Sequence, residues 1–339
     1  MSEFKSNSRT AAVDIRTGRR RFTALLASLP VIATGARAQS KYSEKPITLI
    51  VPYGTGTITD VVARQVTNIM TGMLGQPIIV DNKPGGSAQI GSTAVARSSP
   101  DGYTLLMAGD HTICVNPAQF SKLSYKTSEL TPVAGISMLP QILAVSATLP
   151  VKSLADLVAL AKAKPGTLNF ASPGIGTPAH LLGALLNSEA KIDIVHVPYQ
   201  GGAQLIPDLI EGRVSMMIYP YLPIKAHVDS GKMRALASTT ARRVSWMRAV
   251  PTFTEAGYPN MSQSPSWLAV YAPAGTPADR VARLSEAFKK ALETPEVVAQ
   301  LAAGGVEVRY RTAGDQEALA SGQAPICERL VKMAGAKMD

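Results

Sequence analysis

The sequence predicts an α/β protein made of two doubly wound units with a ligand cleft between them. Three observations predict it. Short apolar segments alternate with longer amphipathic ones along most of the 339 residues, the order of a sheet wound with helices. Glycine-rich segments such as Gly54-Thr55-Gly56-Thr57 and Gly174-Ile175-Gly176-Thr177 fall where strands give way to helices. The alternation also forms two sets, and the first set resumes after the second.

Residues 1–38 read as an export signal. Arg19, Arg20 and Arg21 precede an apolar run over 22–36 that ends in Ala36-Arg37-Ala38, the small-residue pattern of a cleavage site. The run is too short to span a bilayer. Arg19-Arg20-Arg21-Phe22 also resembles a twin-arginine signal. The expected location is the periplasm, with cleavage near Ala38. Removing the signal takes away seven Lys/Arg and two Asp/Glu, so the formal charge falls from +10 to +5 over the remaining 301 residues. That length suits two domains, and a mild basic excess suits an anionic ligand. No basic run interleaves with aromatics, so nucleic acid is not an expected partner. No cofactor motif occurs, and the four histidines are scattered without zinc spacing. An oxidising compartment permits a bridge between Cys114 and Cys327, but spacing does not decide it.

The first set opens with a strand over 47–51 and a Gly/Thr loop over 52–59. Asp60 then starts an amphipathic helix that stops at Gly75, a C-cap residue. A strand over 77–81, the loop Asn82-Lys83-Pro84-Gly85-Gly86, a helix over 90–97 and a strand over 103–108 follow. The second set holds strands over 142–145, 168–171, 195–198, 214–218 and 234–238. Helices over 154–162, 180–190, 203–211 and 226–230 alternate with them. A strand over 267–271 and helices over 278–292, 295–303 and 315–336 return to the first unit. The expected domains are 42–141 with 264–339, and 142–263. This order predicts parallel strands with right-handed crossovers.

In such sheets ligands sit at the carboxyl ends of the strands. The loops 52–59, 82–89, 109–112 and 172–177 are all such ends. Glycines let backbone approach a ligand, and free amides at a helix start attract anions. Gly54-Thr55-Gly56-Thr57 is neither a Walker loop nor G-x-G-x-x-G, since Thr59 stands in the third glycine's place. Ser172-Pro173-Gly174-Ile175-Gly176-Thr177-Pro178 is its counterpart, and the hydroxyls of Ser172 and Thr177 suit a carboxylate. Asp110-His111 follows a strand end and offers polarity there. His180 opens a helix and is either a base or a cap, whereas His196, inside an apolar strand, reads as a satisfied core residue. G-x-S-x-G does not occur, and paired carboxylates at a strand end are missing. Binding is therefore favoured over turnover. A hydrolase using Ser172 and His180, and an interaction protein with a vestigial cleft, remain as alternatives.

A run of motifs carries a family resemblance. Ile50-Val51-Pro52-Tyr53 to Asp60, Gly75-Gln76-Pro77, Asp81-Asn82-Lys83-Pro84-Gly85 and Pro100-Asp101-Gly102-Tyr103 come first. His196-Val197-Pro198-Tyr199 with Gly201-Gly202, Gly212-Arg213-Val214 and Ala272-Pro273-Ala274-Gly275-Thr276-Pro277 follow in order. Together they resemble the Bug family, the TctC-like extracytoplasmic receptors of tripartite tricarboxylate transporters. The resemblance implies a type II periplasmic-binding fold of two hinged lobes that close on a solute. It implies a monomer that hands its ligand to a permease or a sensor. It also implies that one ligand carboxylate is held between Tyr53, Gly54, Thr55, Gly56 and Thr57 on one side and Ser172, Gly176 and Thr177 on the other. Asp60, Gly86, Asp110, His111, His180, Tyr199 and Tyr219 complete the expected ligand site. Two departures stand out. Thr57 occupies a place the family usually gives to glycine, and Tyr219-Pro220-Tyr221 occupies one where an acid or amide is common. Loss of that acid argues for a non-amino mono- or dicarboxylate, with Tyr219 or Tyr221 as the distal wall.

Overall fold

A computed structural model describes residues 42–338 apart from Gly201, Ala203, Ser264 and Pro265. The export signal expected over 1–38 lies outside the described residues.

The chain first builds β1 (Ile47–Val51), α1 (Ile58–Leu74), β2 (Ile78–Asn82), α2 (Gln89–Ala96) and β3 (Thr104–Gly109). Gly75 ends α1 as expected: its φ is 71°, and its N–H donates to the Thr71 carbonyl. A π-helical turn, His111–Val115, leads into the short α3 (Asn116–Gln119) and then β4 (Leu130–Leu139). The middle of the chain supplies β5 (Gln141–Ser146), α4 (Leu154–Ala163), β6 (Asn169–Ser172), α5 (Pro178–Ala190) and β7 (Val195–Pro198). It continues through α6 (Leu205–Ile210), β8 (Met216–Pro220), α7 (Tyr221–Asp229) and β9 (Met233–Ser238). The return adds β10 (Ser266–Pro273), α8 (Ala278–Glu293), α9 (Pro295–Ala303), β11 (Glu307–Arg311) and α10 (Ala313–Met333).

Two mixed sheets result, with strand orders β11-β4-β10-β3-β1-β2 and β7-β6-β8-β5-β9. The pairs β1–β2, β1–β3, β6–β7 and β6–β8 are parallel, as expected. The sheets are nevertheless mixed. β10 runs antiparallel to β3 and β4, and β5 runs antiparallel to β8 and β9. The reason lies in the crossings. β5 and β10 are the strands by which the chain enters one sheet from the other, and arriving from the cleft side reverses their direction. The two crossings are tied together. The Gln141 amide donates to Thr239 Oγ1 at 3.1 Å, and the Thr239 amide donates to the Gln141 carbonyl at 3.0 Å.

The sequence reading missed β4 and β11. Pro132 lies inside β4, which argues against a central strand. However, β11 reaches only from Gly135 to Met138 of β4, so the missing N–H at Pro132 leaves no ladder bond unmade on that side. The strand 195–198 was expected to be buried around His196. It is instead an edge strand with no fully buried residue. Val62, Val66, Met70, Leu105, Met107, Leu284 and Phe288 fill the layer between the first sheet and α1 and α8. Burying each such side chain contributes roughly 1.5–3 kcal/mol.

Candidate functional site

The two glycine loops adopt the same conformation. In the first, Gly56 has φ 81°, and the hydroxyl of Thr57 donates to the Gly54 carbonyl at 2.8 Å. In the second, Gly176 has φ 78°, and the hydroxyl of Thr177 donates to the Gly174 carbonyl at 2.7 Å. The glycine N–H is then taken by a residue one helical turn on. Gly56 donates to Asp60 Oδ2 at 2.9 Å, and Gly176 donates to His180 Nδ1 at 3.1 Å. Thr57 and Thr177 are thus the N-cap residues of α1 and α5, with dihedrals of −68°, 159° and −65°, 156°. Neither caps its helix with its side chain, because each hydroxyl is turned back onto its own loop. The first-turn amides, beginning at Ile58 in α1 and, after Pro178, at Ala179 in α5, are left for another acceptor.

These loops face one cavity of about 460 Å³. The N-cap residues of four helices line it: Thr57 of α1, Ala88 of α2, Thr177 of α5 and Pro220 of α7, none with a side-chain cap. Each N-terminus carries about half a positive charge. No lysine or arginine is among the described residues that line the cavity. Positive potential at its wall therefore comes from backbone.

Tyr53, Gly54, Thr57, Asp110, His111, Thr177 and Tyr219 line the cavity, so segments from both sheets meet there. Thr55, Gly56, Asp60, Gly86, Ser172, Gly176, His180 and Tyr199 do not reach its wall. Several of these support the wall instead. Asp60 is buried and holds Gly56, Arg64 and Asn82. Burial pulls its pKa up, but the hydrogen bonds from Arg64, Gly56 and Asn82 prevail and hold it below the usual carboxylate value. The hydroxyl expected to meet a carboxylate at Ser172 is fully buried. It bonds the Gly174 carbonyl at 3.0 Å and His196 Nε2 at 2.7 Å. Tyr199 donates to Asp208 at 2.7 Å outside the cavity. Tyr221, a candidate for the distal wall, turns into the core, and its hydroxyl donates to Asp229 at 3.3 Å. Tyr219 alone of that pair lines the cavity, and its hydroxyl lies 2.5 Å from where a side chain at Gly202 would begin.

Behind the second loop, the rings of His180 and His196 stack with centroids 3.9 Å apart, and Phe170 stacks on His196 at 4.9 Å. Burial lowers the pKa of both rings. His196, further disfavoured by His180, is held at about 4. A neutral His180 keeps Nδ1 free to accept from Gly176. The serine and histidine proposed for hydrolysis do not pair, since Ser172 meets His196 rather than His180.

Asp110 is 8% exposed and lines the cavity. It accepts from Ser266 Oγ at 3.3 Å and from the Trp267 amide at 3.4 Å. Burial outweighs these bonds and raises its pKa to about 6. Burial likewise pushes the neighbouring His111 down to about 4 and the Tyr53 hydroxyl up to about 12. Trp267, Gln141 and Leu139 also line the cavity and were missed in the sequence. Only the position of Trp267 at the start of a return strand could have pointed to it. Cys114 and Cys327 are free, buried thiols. Among the described residues no His/Cys/Asp/Glu group could hold a metal, and no helix is long and apolar enough to cross a membrane.

Protein BugT of Bordetella pertussis is 34% identical over 299 residues, 88% of this chain and 91% of that protein. Rpa4515 of R. palustris, solved with adipate, has a TM-score of 0.80 at 31% identity, covering 87% of this chain and 98% of that one. MatC from Rhodopseudomonas palustris, solved with bound malate, has a TM-score of 0.75 at 31% identity, covering 86% and 100%. The family model of the tripartite tricarboxylate transporter family receptor matches residues 62–335. This chain therefore belongs to that family, TctC, whose members are periplasmic solute receptors and not enzymes.

Proposed function

We propose that this protein is an exported, monomeric receptor that captures a small non-amino mono- or dicarboxylate and passes it to a tripartite-type permease or to a sensor. One observation carries the reading: two matching glycine-threonine loops, one from each sheet, present uncapped helix N-termini to the same cavity. A carboxylate placed there accepts amide donors without displacing any internal cap, and charge-assisted hydrogen bonds are the stronger kind. The adipate and malate held by two solved relatives support the ligand class. In this reading residues 42–141 with 264–339 form one lobe and 142–263 the other. The paired crossings at Gln141 and Thr239 serve as the hinge. Thermal-shift screening against organic acids, followed by calorimetry on the hits, tests it. Micromolar or tighter binding of a carboxylate is expected. Stabilisation by amino acids alone, or by no acid, overturns it.

A further inference from the structure

The cavity holds one buried carboxyl of its own, Asp110, and no lysine or arginine among its described lining residues. A cavity of about 460 Å³ is small enough that a ligand charge anywhere inside it lies within roughly 10 Å of Asp110, about one Debye length even in water and less screened in a dry site. Helix N-termini at the wall supply partial positive charge, although the first amides of α2 already donate to the Gly86 and Gly85 carbonyls. Ionised Asp110 offsets part of this charge and leaves less to receive a second ligand carboxylate. Resting on the receptor reading above, we propose that this site selects a monocarboxylate with an uncharged remainder and that Asp110 is the residue that rejects a second carboxylate. This departs from the dicarboxylates seen in the two solved relatives.

The surroundings of Asp110 support a repelling role. Its oxygens accept from Ser266 Oγ and the Trp267 amide. Both donors are neutral, so neither offsets its charge. What remains is a fixed negative charge. The titratable groups near it are Tyr53, His111 and Cys114. Burial keeps the tyrosine and the histidine uncharged at neutral pH, and Cys114 is held as a thiol by its hydrogen bond to Cys327 and by burial, so none offsets the charge. The rest of the wall is largely apolar. Pro52, Ile58, Leu139, Pro178, Trp267 and Leu268 suit a neutral hydrocarbon or aromatic body. Since Asp110 titrates near pH 6, a dicarboxylate can enter only with a proton taken up by that group. Its affinity must then rise as pH falls from 8 toward 6, above the range in which the ligand's own carboxyls take up protons.

Calorimetry on the full exported chain tests this with linear monocarboxylates and dicarboxylates of four to eight carbons. At pH 8 the monocarboxylate of a given length is expected to bind at least tenfold tighter than the dicarboxylate. Between pH 8 and 6 the dicarboxylate is expected to gain about tenfold or more, and the monocarboxylate, with one charge to repel rather than two, clearly less. Asp110→Asn is expected to narrow the gap at pH 8 and to flatten the pH dependence. A dicarboxylate that binds wild type as tightly as its monocarboxylate at pH 8 overturns the proposal, as does a dicarboxylate affinity indifferent to pH. The pH arm uses wild type, so it stands even if the variant folds poorly. Failure of every acid to bind wild type overturns the receptor reading itself.

Discussion

Gly56 and Gly176 occupy the same place in matching loops, and this makes a sharp comparison possible. Both have φ near +80°, so alanine at either strains the backbone, by roughly 1–2 kcal/mol. Space around them differs. Nothing lies within 4 Å of a Cβ built on Gly56, whereas one on Gly176 meets Gln119 Nε2 at 2.2 Å. Gln119 comes from α3, beside the first sheet, and donates to the Ile175 carbonyl at 3.2 Å. It is 1% exposed. Alanine at 176 must push this amide away. That loses a hydrogen bond worth about 1 kcal/mol and risks a buried, unpaired group at about 1–3 kcal/mol. Gly176→Ala should therefore cost about 2–6 kcal/mol and Gly56→Ala about 1–2 kcal/mol. Urea unfolding of both single variants, repeated in a Gln119→Ala background, measures the difference. In that background the two glycine variants should cost the same, because the coupling is confined to one contact. Equal costs in the wild-type background, or a difference that survives removal of Gln119, would refute the steric reasoning.

Further outcomes follow from the same site. Thr57→Ala and Thr177→Ala each remove one hydroxyl-to-carbonyl bond that shapes a loop, so each should weaken ligand binding by about 2–10-fold, in line with 0.5–1.5 kcal/mol per bond; calorimetry should show similar losses at the two positions, and no loss at either would separate the loops from binding. Stability should fall as pH drops from about 6.5 toward 4. His111 and His196 have folded pKa values near 4, below their unfolded value, so the native state resists protons that the unfolded chain accepts. Asp110 acts in the opposite sense, since its folded pKa lies near 6 and the native state takes up a proton first. Asp110→Asn should therefore steepen the acid loss, as read by urea midpoints at several pH values. Finally, Cys114 and Cys327 are 3% and 1% exposed, so a maleimide should label neither in the native protein and both in denaturant. Intact mass spectrometry reads this directly, and rapid native labelling would contradict their burial.

Local features of the site were legible because they depend on local chemistry. Glycine was needed at 56 and 176 because only it accepts a positive φ freely, and a strand before and a helix after each loop could be read from periodicity. The directions of side chains were not legible. Ser172 and Thr177 were expected to offer hydroxyls to a ligand, yet both turn to the Gly174 carbonyl. His196 was expected in a buried strand, yet it lies on an edge and is satisfied by Ser172 and by stacking. Each of these outcomes depends on a neighbour brought in by the fold.

The sequence by itself determined the alternation of strands and helices, the glycine-threonine loops and the family motifs, all of which are short-range patterns. Only the tertiary structure decided the cavity's charge. Asp110 and Trp267 stand 157 positions apart, yet they meet where the chain re-enters the first sheet. That meeting buries a carboxyl beside four helix N-termini, and burial is a property of the packed fold that no single segment carries.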